Sequence, residues 1–179
     1  MKRFALLALG VIAFSSAAVV KAQDDAAKAV LALPANLRAD ATVIKWKPDF
    51  TYDTVKEGKN PYVCYDLSGW PKHQPFTVEC TIKGNLDRVA QNLKFEAMGD
   101  KTKDALDAAE KDGSRVKPVY GSVWYHFMGA DQDHARMHMT IAVPGATTAT
   151  TGLPDKNGAG GVWIMNAGTT TAHLMTPGE

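Results

Sequence analysis

A chain of 179 residues with 45% hydrophobic side chains can form a real core, which excludes wholesale disorder. A formal net charge of +1, without a run of like charge, offers no basic face for nucleic acid. The two cysteines form no Cys-x-x-Cys pair, which argues against haem attachment and against a zinc site built on Cys64, His73 and Cys80.

The chain opens "MKRFALLALGVIAFSSAAVVKAQ". Lys2 and Arg3 precede an apolar stretch from Phe4 to about Ile12, and small residues end at "VKA". This pattern predicts a signal peptide over 1–22, cleaved near Ala22, and a periplasmic or secreted chain. The apolar run is roughly half of the ~20 residues that a membrane span needs, and no later segment is apolar enough to supply one. Residues 1–22 hold three of the 20 Lys and Arg and none of the 19 Asp and Glu, so the remaining 157 residues carry a formal charge of −2.

Residues 23–40 are Ala-rich and read as an N-terminal arm, either a short helix before Pro34 or a loose segment. A single domain is expected over 41–179. "ATVIKW" (41–46), "YDTV" and "YVCYDL" (62–67) read as strands, with "EGKN" as a turn. "SGWPKHQP" is a loop, because Pro and Gly interrupt regular structure. "FTVECTI" (76–82) alternates, with Phe76, Val78, Cys80 and Ile82 on one face, and predicts a half-buried strand. In an oxidising compartment, Cys64 and Cys80 on neighbouring strands predict a disulfide.

The period then changes. Leu86, Val89 and Leu93 recur at helical spacing, with Asn85 as N-cap. Gly99 interrupts the pattern, Asp100 is placed to cap a second stretch, and Gly113 ends it. One broken helical segment over about 86–112 is predicted, either one helix with a break or two short helices. "GSVWYHFMG" (121–129), "RMHMTIAVPG" (136–145) and "GVWIMNAG" (161–168) return to strand, followed by "TAHLMTP" (171–177). The Thr/Ala/Gly stretch before residue 161 reads as a long loop without an element of its own. The fold class is therefore α+β, a mainly antiparallel sheet with helix between its two groups of strands.

"HARMHM" (134–139) puts two His and two Met in six positions. Side chains alternate across a strand, so Met137, His138 and Met139 cannot all share a site. The same alternation collects Trp124, His126, Met128, His138, Trp163, Met165, His173 and Met175 on one face of four strands. His126, His138 and His173 are thus candidate metal ligands for copper or zinc, since imidazole and thioether suit those ions. The competing expectation is a core face packed under the helical segment, with its histidines hydrogen-bonded. His134 falls in a loop. Asp131 and Asp133 lack the other ligands of a calcium loop and read as a solvated turn. Gly-x-Ser-x-Gly, P-loop and Gly-x-Gly-x-x-Gly patterns are absent, so nothing in the motifs points to an enzyme.

"GVWIMNAGTTTAHLMTPG", with "GSVWYH", "HMTIAVPG" and "EGKNPYVCYD", resembles a group of exported bacterial proteins. That group shares a Trp-Ile/Val-Met, Ala-Gly-Thr, His-Leu-Met ending, and the similarity covers most of the chain after the signal segment. His138 and His173 fall on histidine positions of its pattern, while "GADQDHAR" departs from it. The resemblance implies export and assigns no activity or cofactor. Two functions follow as expectations: a non-catalytic binding module, and a His/Met protein that binds copper or zinc.

Overall fold

The computed structural model describes residues 23–158 and 160–176. The expected signal segment, 1–22, lies outside the described residues. The strands are β1 (Thr42–Trp46), β2 (Tyr52–Lys56), β3 (Tyr62–Asp66), β4 (Phe76–Ile82), β5 (Val123–Gly129), β6 (Arg136–Ala142), β7 (Trp163–Met165) and β8 (His173–Met175). They form one sheet in the order β2-β1-β3-β4-β5-β6-β8-β7. Every neighbouring pair is antiparallel except β1–β3, which is parallel. The fold is α+β with a mainly antiparallel sheet.

Three expectations about local structure are refined. The broken helical segment is two helices, Leu86–Glu96 and Thr102–Asp112, with a 3-10 turn at Gly99–Lys101 between them. Neither expected cap is made by its side chain. Asn85 is buried and its amide is used elsewhere: it donates to Thr81 and Ser122 and accepts from the Val119 N–H. The break is tied instead by the Thr102 hydroxyl, which donates to the Phe95 and Gly99 carbonyls. Gly113 ends the second helix as expected, with φ of 77° in the left-handed region that a Cβ disfavours. Third, the long Thr-rich loop contains a one-turn helix, Thr148–Thr151, opened by a capping box between Thr147 and Thr150.

Both faces of the central strands are covered. On one face, residues 23–29 are helical, continue into a 3-10 turn at Val30–Ala32, and bury Ala29, Ala32 and Leu33. They pack on Val43, Cys64, Phe76, Val78 and Cys80, so the helical alternative for this segment is the one seen. On the other face, the 86–96 helix buries Leu86, Val89 and Leu93 against Ile44, Trp46, Val63, Tyr65 and Trp124. β4 is consequently buried along nearly its whole length, including Thr77, Glu79 and Thr81, and is not the half-buried strand its alternation predicts. A smaller cluster of Val143, Ala146, Ile164 and Ala172 holds the C-terminal strands.

Cys64 and Cys80 are directly opposite in the β3–β4 register and are disulfide-bonded. Their Cα atoms are 4.1 Å apart, just below the usual lower limit of about 4.4 Å, because opposed positions of an antiparallel pair approach closely. Replacing both cysteines with alanine should lower the free energy of unfolding by about 3 kcal/mol in a urea titration, the chain-entropy value for so short a loop. Intact mass under denaturing, non-reducing conditions should show no alkylated thiol on the native chain.

Candidate functional site

Strand register builds the site. Tyr65 on β3 is opposite Glu79 on β4, Glu79 is opposite His126 on β5, and His126 is opposite His138 on β6. These four side chains form one row across four adjacent strands, on the face that the 86–96 helix covers. The row opens into a cavity of about 310 Å³ between helix and sheet. Four of the five histidines line it: His73, His126, His138 and His173. Trp124, Val89 and Leu93 supply apolar wall, and Glu79, Glu96 and Met128 also reach it.

Contacts along the row are graded. The Tyr65 hydroxyl donates to Glu79 Oε2 across a long 3.5 Å. His126 Nδ1 lies 3.0 Å from Glu79 Oε1. It approaches off the N–H axis, so it is close enough for charge attraction yet lacks an aligned hydrogen-bond partner. The His126 and His138 rings have centres 5.9 Å apart and planes inclined by 32°. At the mouth of the cavity, His73 Nε2 is 3.0 Å from Glu96 Oε2, which joins the 67–75 loop to the helix.

Ionisation follows these contacts. Burial pushes the Glu79 carboxyl up, but the charges of His126 and His73 outweigh it and hold the group below its ordinary 4.5. Burial pushes His73 down, but the Glu96 contact and the Glu79 and Glu96 charges raise it above 6.5. His138 is lowered by burial and then by the charges of His126 and His173. Burial and the Glu79 charge raise the Tyr65 phenol well above 10, so it stays protonated.

His173 enters the same cavity by a different route. Its Nδ1 donates to the Thr171 carbonyl at 2.7 Å, which leaves Nε2 with the lone pair. In register it faces Ala142, four residues along β6 from His138. At 3.3 Å per residue that offset is about 13 Å, so His173 is two rows from the His126–His138 pair. Arg88 fixes the intervening wall. It is buried, and its guanidinium donates to the Val116 carbonyl and the Thr171 hydroxyl, tying the helix to the last turn before β8. Burial and then the nearby Arg115 charge push its pKa down to about 10, so it remains charged at neutral pH.

The three histidines singled out by alternation therefore share one cavity, with His126 and His138 as an adjacent pair. Among the described residues, no group of three or more His, Cys, Asp or Glu side chains is close enough to hold a metal ion by itself. His134 lies elsewhere, exposed, with its Nδ1 2.7 Å from Asp131. Sequence reasoning missed Glu79, Glu96 and Arg88, and it met His73 only as a weak zinc ligand. Alternation put Glu79 on the apparently polar side of its strand, and that side is covered by a helix whose docking alternation does not reveal. No family model matches the chain, and neither the curated proteins nor the solved structures contain a significant match.

A pH titration followed by NMR should place the His138 imidazole below 6.5 and the His73 imidazole above it. The stability contributions have opposite signs. That of His73 is present below 6.5 and lost as pH rises through its raised folded value. That of His138 is present above 6.5 and lost as pH falls through its lowered one. That of Glu79 is present above 4.5 and lost as pH falls through its lowered value. Coincident titration of the two histidines would remove the basis for this assignment.

Proposed function

We propose that the chain is a metal-binding protein whose ion, copper or zinc, is held in the helix–sheet cavity by His126 and His138. One observation carries the reading: the two imidazoles are direct cross-strand partners in a cavity wall, with ring centres 5.9 Å apart. Two imidazoles that share a metal at about 2.0–2.1 Å put their ring centres roughly 5–6.5 Å apart, so little movement is needed. Metal-bound histidines commonly give their other nitrogen to a carboxylate or carbonyl, which fixes the tautomer and raises basicity. Glu79 Oε1, 3.0 Å from His126 Nδ1 but off its N–H axis, is the carboxylate placed to take that role once the ring turns. The Thr171 carbonyl stands in that relation to His173, two rows away. The signal-like residues 1–22 lead us to place this activity outside the cytoplasm.

The cavity also favours a second reading, a non-catalytic module that binds a small organic ligand. Its 310 Å³ and its wall of Trp124, Val89 and Leu93 suit such a molecule. Equilibrium dialysis of the chain from residue 23 against Zn(II) and Cu(II), with elemental analysis, separates the two. The metal reading expects about one ion per chain. His126→Ala and His138→Ala should each weaken binding at least a hundredfold, and Glu79→Gln by about 10–100-fold. His173→Ala should cost less than either, and His134→Ala nothing. Folded protein that retains neither metal would leave the organic-ligand reading in its place.

A further inference from the structure

We infer that Met128 completes the His126–His138 site as a thioether ligand, and that the ion it takes is Cu(I). This rests on the metal reading of the cavity and goes further by naming the third ligand and the oxidation state.

Position comes first. Met128 is two residues beyond His126 on β5, on the same face, and lines the same cavity. Its register partner on β6 is Arg136, two residues before His138. Met128 is therefore a same-strand neighbour of one imidazole and a diagonal neighbour of the other, about 7–8 Å away across the strands. A methionine side chain has three rotatable bonds and spans most of that gap, so its sulfur can meet a point between the two rings.

Ligand chemistry selects the ion. Two imidazoles and a thioether are neutral donors, and thioether sulfur favours Cu(I) among the biological metals. Charge balance agrees. A divalent ion held by three neutral ligands in a partly buried cavity leaves charge uncompensated, and burying net charge is costly. Glu79, beside His126, supplies one negative charge within the row. It balances a monovalent ion. Glu96 is already paired with His73.

Cys64 and Cys80 are bonded to each other, so a sulfur ligand on the metal has to come from methionine. Met175 is the natural rival, because it faces Thr140, two residues from His138 on the opposite flank.

The test compares the native chain with Met128→Leu and Met175→Leu. Cu(I) is generated with ascorbate under anaerobic conditions and competed against bicinchoninate, and Zn(II) affinity is measured in parallel. Met128→Leu should weaken Cu(I) binding at least tenfold and leave Zn(II) within about threefold, while Met175→Leu should change neither. X-ray absorption of the native Cu(I) form should show one sulfur scatterer, lost in Met128→Leu. The thioether assignment is overturned if Met128→Leu binds Cu(I) as the native chain does. It is also overturned if that variant loses both metals equally, or if the scatterer disappears with Met175→Leu. In these outcomes Zn(II) bound through His126 and His138 preserves the metal reading, whereas a native chain that binds neither metal removes both.

Discussion

The Cys64–Cys80 bridge fixes the register on which the rest of the polar chemistry depends. The cysteines are directly opposed on β3 and β4, one residue before Tyr65 and one after Glu79. Because side chains alternate, the bridge on one face holds Tyr65 opposite Glu79 on the other. A slip of one residue would send both to the wrong side of the sheet. From Glu79 the same alignment passes to His126 and His138 through the antiparallel ladders of β4–β5 and β5–β6. The geometry of the candidate site is thus set by backbone pairing, and its side chains need no long reach.

An ionised carboxylate in the middle of a covered sheet costs free energy unless its charge is answered. At Glu79 the answer comes from His126 beside it and His73 across the cavity, whose charges prevail over burial. The neighbouring pairs on this face, Val63 opposite Thr81 and Trp124 opposite Thr140, carry no ionisable side chain. The concentration of ionisable groups in a single row, open to one cavity, is what distinguishes the candidate site from the core around it. The adjoining wall is rigid for its own reasons, since Arg88 and Arg115 join the helix to loops far away in sequence.

Alternation made the strands of the C-terminal half legible, and with them the common face of His126, His138 and His173. It could do so because the period of a strand is independent of its partners. What it could not supply was pairing. The parallel β1–β3 contact, and the return of β8 to lie between β6 and β7, are invisible in any single stretch. The four-residue offset of His173 from His138 depends on that second pairing and separates a pair from a trio of histidines. Glu79 was hidden for a related reason. "FTVECTI" alternates as a half-exposed strand would, yet the helix that follows folds back over its polar side. Asn85 looked like a cap because its sequence position was right, whereas its amide is drawn inward by Thr81 and Ser122.

The segment over the disulfide has a temporal consequence. Both cysteines are fully buried, and Cys80 Sγ lies 3.7 Å from the Ala29 carbonyl of the 23–33 segment. An oxidant reaches the two sulfurs only while that segment is off the face, so bridging either precedes its docking or waits for it to lift. Once docked, it stands between the bridge and any reductant, so the crosslink is guarded by sequence that takes no part in forming it.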